Sequence, residues 1–383
     1  MLPSSLKAIF NAAKLPADDR PDEYQSAIIY CEGNFTRIDG KTANGLVRSS
    51  ERYRILAVID STMAGQDAGS ALGTASAGIP VVKDLDAALA ISEQRPDVLI
   101  FGLAPLSGLM SSADRAVVIA AINQGVSVVS GLHEFLADDQ EIAAAALASG
   151  AALYDIRRPR PTKHLRMFDG AIGEVDCIRI AVLGTDGAIG KRTTSTLLTQ
   201  ALNDAGIRTV MVGTGQTGLM QGAAYGVALD AIPAQFGVGE LEGAVLAAYE
   251  GERPDVIVIE GQGALSHPAY LSSTVVLRAS RPQAVIMQHA PARLMLSDYP
   301  NVPMPSPLSE IKLIELFGDT KVIGVAINHE NMTQAEVLAA TVRYEAELGI
   351  PATDALWHEP SALVAMVTAA FPTLLARPQT AIA

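Results

Sequence analysis

The sequence predicts an α/β protein with two domains, each built on a mainly parallel β-sheet. Short apolar runs alternate with helical patterns almost throughout the chain, which is typical of strands joined by crossover helices. The chain has 383 residues, more than a single domain usually has. A stretch rich in proline and basic residues, 157–176, separates two runs of this alternation. We therefore assign one domain to residues 1–156, a linker to 157–176 and a second domain to 177–383.

Apolar runs in the first domain predict strands that are buried on both faces of a sheet. They are 26–33, 55–60, 97–104, 126–132 and 151–156. The stretches 113–125 and 139–150 have helical patterns, and the second of these is rich in alanine. Alanine-rich helices against buried parallel strands indicate an open, Rossmann-like sheet for this domain.

The second domain repeats this organisation and closes with two amphipathic helices. Its predicted strands are 178–184, 208–213, 227–232, 255–261, 284–290 and 322–328. Helical spacing gives each closing helix one apolar face, and the predicted members are Val337, Ala340, Tyr344 and Leu348 in the first helix and Leu363, Val367, Ala370 and Leu374 in the second.

Composition and charge narrow the class of protein. A formal net charge of -13 argues against a general nucleic-acid binder. No apolar run reaches the roughly 18 to 20 residues that span a bilayer, so we expect a cytoplasmic protein without a membrane partner. The only cysteines, Cys31 and Cys177, are far apart and indicate neither a disulfide framework nor a zinc site. Sheets of this kind often associate, and we expect a homo-oligomer.

The segment GTDGAIGKRTT, 184–194, joins a predicted strand to a helix predicted over 190–205. Its glycines let backbone N–H groups turn toward one anion, Lys191 adds a positive charge, and the helix points the positive end of its dipole at the same place. The spacing from Gly184 to Gly190 is one residue longer than in the Walker pattern, and Arg192 takes the place of its hydroxyl residue. The predicted phosphate-binding residues are Gly184, Thr185, Asp186, Gly187, Ala188, Ile189, Gly190, Lys191, Arg192, Thr193 and Thr194.

Polar residues at or just beyond predicted strand ends are candidates for chemistry, because the carboxyl ends of parallel strands form the ligand crevice. Glu260, His267 and His289 are the catalytic candidates, above all for taking a proton, and a structural role is the alternative for each. The residues predicted to bind an anionic substrate are Lys41, Asn44 and Arg48 in one loop, Asp60 and Ser61 after a strand, Gln216 in the Gly-rich turn GTGQTG, and Arg293 as a carboxylate clamp. A solvated surface is the alternative for the cations among them.

The loop GTDGAIGK resembles that of dethiobiotin synthetase-type P-loop proteins, which open with the same G-T-D and carry the same extra residue. The stretch DVIVIEGQGAL resembles their acidic strand end, with Glu260 where they hold magnesium. Asn328, which ends VIGVAIN, resembles their base-contacting asparagine. The resemblance implies a P-loop NTPase-like fold for 177–383 and a part for Asn328 in holding the cofactor.

Motifs along nearly the whole chain resemble a bacterial two-domain family once catalogued only as a domain of unknown function. They are KTANGLVR, VIDSTMAGQDAG, SGLHEFL, GTDGAIGKRTT, GTGQTG, IEGQGALSHPAY and QHAPAR. One member type of that family is a D-glutamate N-acetyltransferase of D-amino-acid catabolism. The resemblance therefore implies acetyl-CoA as co-substrate and D-glutamate as acceptor, with the loop holding the phosphates of CoA and transferring none.

An ATP- and magnesium-dependent ligase or kinase acting on a small carboxylate is the alternative that the loop and Glu260 suggest by themselves. Arg192 in place of the metal-binding hydroxyl favours acyl transfer, because it removes a metal ligand and adds a cation. Thr193 would restore that ligand after a small shift of the loop. Magnesium binding at Glu260 stays an open alternative, and we do not expect the reaction to require it. A nucleotide sensor without chemistry is a third alternative, which the crevice histidines disfavour.

Overall fold

The computed structural model describes residues 24–375, which form two compact units. The first unit consists of residues 24–160 together with Gln216–Ala223, and the second of Pro161–Gly215 and residues 224–375. Each unit is built on a sheet whose neighbouring strands are all parallel, so the predicted α/β class is confirmed. Over residues 24–375, no helix combines the length and the apolar character needed to cross a membrane.

The sheet of the first unit has six strands in the order β3-β2-β1-β4-β5-β6, which is the order of a Rossmann sheet. The strands are β1 (Gln25–Tyr30), β2 (Tyr53–Ile59), β3 (Val81–Val82), β4 (Val98–Phe101), β5 (Ser127–Ser130) and β6 (Leu153–Asp155). The predicted strands are confirmed, and β3 was missed because two residues make too short an apolar run to detect. Every residue of β4 is buried, as expected for a strand covered on both faces.

Helices connect these strands. They are α1 (Lys41–Arg48), α2 (Ala68–Ala71), α3 (Leu85–Leu89), α4 (Ser112–Asn123) and α5 (Gln140–Ser149). A capping box between Ser111 and Asp114 starts α4, and Gly150, with a φ of 77°, ends α5. The prediction of a loop over KTANGLVR is wrong, because α1 buries Ala43 and Leu46 on one face. Gly45 and the polar residues at both ends of α1 make this apolar face hard to recognise in the sequence.

The sheet of the second unit has seven strands in the order β13-β12-β11-β7-β10-β8-β9. The strands are β7 (Ile178–Gly184), β8 (Thr209–Gly213), β9 (Tyr225–Gly226), β10 (Val256–Glu260), β11 (Ala284–His289), β12 (Lys321–Ile327) and β13 (Ala352–Thr353). The strand predicted at 227–232 is wrong, since strand pairing ends at Gly226 and a 3-10 helix, Leu229–Ala231, follows. A short apolar run does not distinguish a strand from a buried turn.

The helices of the remaining chain are α6 (Lys191–Asp204), α7 (Gln216–Gln221), α8 (Ala234–Glu252), α9 (Ser272–Ser280), α10 (Pro307–Gly318), α11 (Gln334–Leu348) and α12 (Ser361–Ala370). The predicted apolar face of α11 is largely buried, including Val337 and Tyr344. In α12, Leu363 and Val367 are buried, but Ala370 is exposed. Helix α12 ends there, and Leu374 lies in a following 3-10 helix, Pro372–Leu374.

The second part of the predicted linker packs onto the second unit. Ile172 is buried in a 3-10 helix, Ala171–Glu174. The fully buried carboxylate of Glu242, in α8, accepts hydrogen bonds from Asp169 N at 3.1 Å and Ile172 N at 3.2 Å. Backbone N–H groups stabilise a buried carboxylate, and these contacts attach residues 169–172 to α8.

Candidate active site

The predicted site residues of the second unit collect at one edge of its sheet. Strand β7 pairs with β10 on one side and with β11 on the other, and β11 pairs with β12. Because these strands are parallel, their carboxyl ends lie at the same edge. Strand β7 ends at Gly184, β10 at Glu260 and β11 at His289, while Asn328 follows β12 directly.

The phosphate loop runs from the end of β7 to the start of α6. Ala188, with a φ of 45°, and Gly190, with a φ of 100°, both have left-handed backbone conformations. Across the described residues, the backbone N–H groups of Ala188, Ile189 and Gly190 donate to no acceptor in the protein. Consecutive amides of this kind form a concave surface that binds anions. The first turn of α6 consists of Lys191, Arg192, Thr193 and Thr194.

Asp186 and Lys191 are buried parts of this loop and have protein partners. The Lys191 ammonium donates to the backbone carbonyl of Asp186. The Asp186 carboxylate forms an ion pair with Arg293 at 2.9 Å and accepts from Ser297 N at 2.8 Å. Arg293 also pairs with the carboxylate of Glu330. The guanidinium predicted to clamp a substrate carboxylate thus contacts two protein carboxylates, and its part in substrate binding stays a prediction.

Two amide side chains attach the loop to neighbouring strands. Gln288, in β11, accepts from Thr194 Oγ1 through its Oε1 at 2.5 Å and from Thr185 N through its backbone carbonyl at 3.2 Å. Asn328 donates from Nδ2 to the carbonyl of Ile189 at 2.9 Å. The side-chain nitrogen of Asn328 therefore orders the loop itself. Gln288 was not among the predicted site residues, although it opens the motif QHAPAR.

Glu260 is buried at the end of β10 and faces the turn after β8. Its Oε2 accepts from Thr214 N at 2.9 Å and from Gly215 N at 3.3 Å. Burial raises the pKa of this carboxyl above its ordinary value. The two N–H donors and the positive charges of Arg192 and Lys191 oppose that shift. The acidic end of β10 and the phosphate loop therefore lie within electrostatic range of each other.

The turn GTGQTG is divided between the two units. Thr214 and Gly215 belong to the second unit, where Gln262 Nε2 donates to Thr214 Oγ1 at 2.8 Å. Gln216 begins α7 and belongs to the first unit, as does Thr217, whose hydroxyl lies 2.9 Å from that of Thr42. The sequence predicts one ligand-lining turn here, and the role of Gln216 in substrate binding stays a prediction.

His289 is nearly fully buried at the end of β11 and contacts the phosphate loop. Its Nδ1 lies 2.9 Å from the hydroxyl oxygen of Thr185, and its ring packs edge-on against Tyr344 at 5.4 Å between centroids. Burial, helped by the cation of Arg343, lowers the pKa of His289 to about 4. The imidazole is therefore neutral at neutral pH and is coupled to the loop through Thr185.

His267 lies in the loop after β10, where aromatic rings fix its orientation. It stacks on Tyr270 at 4.3 Å between centroids and meets Tyr299 edge-on at 5.7 Å. Its Nδ1 accepts from Ala269 N at 3.2 Å. Burial lowers the pKa of His267, with the carboxylate of Asp186 acting in the opposite direction. Neither tyrosine was predicted, although Tyr270 ends the motif IEGQGALSHPAY.

The predicted cations of the first unit lie on α1. Lys41 and Arg48 occupy its first and last positions and are both exposed. Seven positions along a helix correspond to nearly two full turns, so both side chains start from the same face. Asn44 donates from Nδ2 to the carbonyls of Phe35 at 2.6 Å and Gly40 at 2.7 Å, which commits its amide nitrogen to the local fold.

The polar residues that follow β2 have local partners. Asp60 is fully buried, and its carboxylate accepts from Phe35 N at 3.0 Å and Thr62 N at 2.9 Å. Ser61 donates from its N to Glu32 at 2.9 Å, and its hydroxyl donates to the same carboxylate. These contacts order the end of β2, and the predicted contact of Asp60 and Ser61 with substrate stays a prediction.

The chemistry that this geometry offers is anion binding combined with hydrogen-bond donation. Backbone amides, Lys191 and the positive end of α6 converge at the loop, with the Glu260 carboxylate and two histidines around it. Over residues 24–375, the structure contains no group of three or more His, Cys, Asp and Glu side chains arranged to hold a metal ion.

Fold and site together define a two-domain α/β protein with a Rossmann-like unit and a P-loop unit. The family model described as "Domain of unknown function (DUF1611_C) P-loop domain" matches residues 166–364. The model described as "Domain of unknown function (DUF1611_N) Rossmann-like domain" matches residues 61–159. The chain belongs to the DUF1611 family.

Relatives and a solved structure agree with this assignment. The chain is 31% identical over 273 residues to a protein from Tritonibacter scottomollicae named D-glutamate N-acetyltransferase, covering 70% of this chain and 79% of that protein. It is 27% identical to a protein of the same name from Pseudoalteromonas sp, with 70% and 80% coverage. The crystal structure of a DUF1611 family protein from Anabaena variabilis is similar with a TM-score of 0.83 at 32% identity, over 90% of this chain and 99% of that one.

Proposed function

We propose that this protein is an N-acetyltransferase that moves the acetyl group of acetyl-CoA to the amino group of D-glutamate. The observation that carries the proposal is the similarity to two proteins named D-glutamate N-acetyltransferase, at 31% and 27% identity over 70% of this chain. The similarity extends across both units rather than one, as the two family models do. A shared P-loop by itself would not distinguish this activity from many others.

The phosphate loop supports acetyl-CoA as the donor. CoA carries a diphosphate and a 3′-phosphate, and such anions suit the acceptor-free amides of Ala188, Ile189 and Gly190 beside Lys191. In this proposal the loop holds the diphosphate and leaves it unreacted. Arg192, in the first turn of α6, adds a cation where a P-loop NTPase has its metal-binding hydroxyl. That substitution favours holding an anion over cleaving it.

The reaction needs a proton acceptor. The amine attacks the thioester carbonyl, the new C–N bond forms as the C–S bond breaks, and the departing thiolate takes up a proton. Glu260 is our candidate for removing the ammonium proton, because its raised pKa brings a carboxylate closer to neutral pH. His289, neutral and bonded to Thr185, is the second candidate.

D-glutamate brings two carboxylates, which need cations. Lys41 and Arg48 support this part of the proposal, because both are exposed and start from one face of α1. Asn44 and Asp60 give less support to substrate binding, because their side chains already form hydrogen bonds with the backbone of Phe35. Truncating Lys41 or Arg48 should raise the KM for D-glutamate and leave the KM for acetyl-CoA unchanged.

The decisive experiment incubates the purified full chain with D-glutamate and either acetyl-CoA or Mg-ATP. Release of free CoA thiol with formation of N-acetyl-D-glutamate supports acetyl transfer. Formation of ADP without thiol release would establish the ATP-dependent ligase or kinase, which the Glu260 carboxylate beside the loop favours. L-glutamate and D-aspartate serve as matched acceptors that differ in chirality or in length.

A further inference from the structure

The imidazole of His267 is held in one orientation by three contacts. Tyr270 stacks against one face, with the two ring planes 18° apart, and Tyr299 meets the ring edge-on. The backbone N–H of Ala269 donates to Nδ1 at 3.2 Å. A backbone N–H is a donor only, so Nδ1 has to be unprotonated in this arrangement. The neutral ring therefore carries its proton on Nε2.

The Nε2–H group that results is a buried donor. Only about 6% of His267 is exposed, and over the described part of the chain its Nε2 has no hydrogen-bond partner. Buried polar atoms in native proteins nearly always have partners, so this N–H group is a donor that a ligand or an ordered water molecule has to satisfy. Burial also disfavours the charged imidazolium, which keeps the ring in the neutral, Nε2-protonated form.

The surroundings of the ring connect it to the phosphate loop. Asp298 follows Ser297, whose N–H donates to the loop carboxylate of Asp186 at 2.8 Å, and both carboxylates act on the charge of His267. Asp298 in turn accepts from the hydroxyl of Tyr270 at 2.6 Å, which orders the stacking partner. A rigid, neutral N–H donor thus lies within electrostatic range of the anion-binding loop.

We infer that His267 donates its Nε2–H to a negatively charged or charge-developing oxygen of the ligand held by the phosphate loop, and that it does not act as the proton acceptor. This inference rests on the proposed function only in naming the ligand as an acyl-CoA. The oxygen belongs either to the thioester carbonyl, which gains charge as the amine attacks, or to a phosphate of the coenzyme. The two sources share the same donor chemistry and differ in the step that they affect.

Nitrogen-15 NMR of the full chain labelled at histidine tests the tautomer directly. The chain has 6 histidines, and the His267 signals are those missing from the His267→Gln variant. We expect a protonated Nε2 and an unprotonated Nδ1 at neutral pH. The Nε2–H resonance should shift on addition of CoA or ADP if it contacts a phosphate, or only on addition of acetyl-CoA without an amine acceptor if it contacts the thioester oxygen. A protonated Nδ1, or an Nε2–H resonance that moves with none of the three probes, overturns the inference.

Two substitutions separate a donor from a base. His267→Gln places an amide N–H near the position of Nε2 but has no basic nitrogen, whereas His267→Phe keeps a ring to stack on Tyr270 and has no donor. We expect His267→Phe to lower either the acetylation rate or the affinity for coenzyme. His267→Gln should retain most of the wild-type value of whichever quantity the Phe variant loses. In His267→Gln the acid limb of the pH profile of kcat/KM should be unchanged. If Gln fails as completely as Phe and that limb disappears, His267 is the base and the inference is wrong.

The split between kcat and affinity identifies the oxygen. A thioester contact predicts that His267→Phe lowers kcat about 10²- to 10³-fold, the usual loss for one oxyanion donor, with the Kd for CoA unchanged. A phosphate contact predicts a weaker Kd for CoA with kcat retained. A folded His267→Phe variant with wild-type kcat and wild-type Kd contradicts both contacts.

The exposed His358 gives a matched control, since His358→Gln should change neither kcat nor Kd. If neither the wild type nor any variant acetylates D-glutamate, the proposed function is refuted. The inference about His267 is then still tested, because the NMR experiment needs no turnover.

Discussion

The carboxylate of Asp186 forms a buried ion pair with the guanidinium of Arg293 at 2.9 Å. Asp186 belongs to the phosphate loop, and Arg293 belongs to the segment that follows β11. Asp186 is fully buried, and a second ion pair joins Arg293 to Glu330, just beyond Asn328. The ion pairs therefore tie the loop to segments that follow two other strands of the sheet. The conformation of the loop depends on this pairing as well as on its glycines.

Removal of Arg293 should destabilise the fold and weaken ligand binding. In Arg293→Ala the Asp186 charge stays buried without its cation, and breaking a buried pair in this way typically costs about 3–5 kcal/mol. Urea unfolding of the variant measures this loss. The matched control is Arg208→Ala, because Arg208 pairs with Asp255 at 3.2 Å but is 61% exposed. Exposed pairs contribute about 0–1 kcal/mol, so equal losses in the two variants would contradict the role given to Asp186 and Arg293.

Lys191→Ala should weaken coenzyme binding far more than it slows turnover at saturation. A contact to phosphates that do not react stabilises the ground state and the transition state equally, so it affects KM rather than kcat. We expect the KM for acetyl-CoA to rise about 10- to 100-fold, the range for one charge-assisted hydrogen bond. The control is Lys321→Ala, at the opposite end of β12 from Asn328 and 77% exposed. Loss of turnover at saturating acetyl-CoA would rule out a purely holding role.

Acetylation should persist in excess EDTA. The charge that develops in acyl transfer lies on a carbonyl oxygen, where N–H donors suffice, whereas phosphoryl transfer needs a metal to bridge the phosphates. The assay is thiol release with and without chelator. Activity that disappears on chelation and returns with magnesium alone would favour the metal-dependent alternative.

Glu260→Gln should impair acetylation whether or not metal is present. The amide keeps an oxygen to accept from Thr214 N and Gly215 N, so the turn should hold while the negative charge and the basic site are lost. Because burial raises the pKa of Glu260, the wild-type activity should fall with decreasing pH earlier than for an ordinary carboxylate, and the variant should lack that limb. Glu359→Gln, at an exposed position, is the control. A variant with full activity would exclude Glu260 as the base.

His289 should make the protein less stable as pH falls from about 6.5 toward 4. Its pKa is lowered from 6.5 to about 4 in the folded state, so between these values the unfolded chain binds a proton that the native chain does not. The contribution is full above pH 6.5 and is lost through this window, amounting to about 3 kcal/mol. His289→Asn, which keeps a polar atom near Nδ1 for Thr185, should lose less stability on acidification, as followed by urea unfolding at several pH values. His358→Asn should behave like the wild type, and an identical pH profile in His289→Asn would refute the assignment.

The sequence pattern was sufficient for the fold class and for most of the strands. Alternation of apolar runs with helical patterns is a local property, and each buried parallel strand produces its own run. Elements whose burial comes from neighbours were missed. Strands β3 and β13 have two residues each, and α1 has a buried face interrupted by Gly45. The strand predicted at 227–232 failed for the related reason that apolar residues are also buried in turns.

The sequence by itself also located the P-loop, because glycines next to a lysine between a strand and a helix are a pattern of adjacent residues, and its anion binding stays a prediction. Tertiary structure alone decided which partners those residues have. It pairs Arg293 with Asp186 and lets Asn328 donate to the carbonyl of Ile189. It also directs the N–H of Ala269 to Nδ1 of His267. These pairs are far apart in sequence or depend on a ring orientation set by Tyr270 and Tyr299. Residue spacing carries no information on such contacts, since the hydrogen-bond partner of a side chain is chosen by packing in three dimensions.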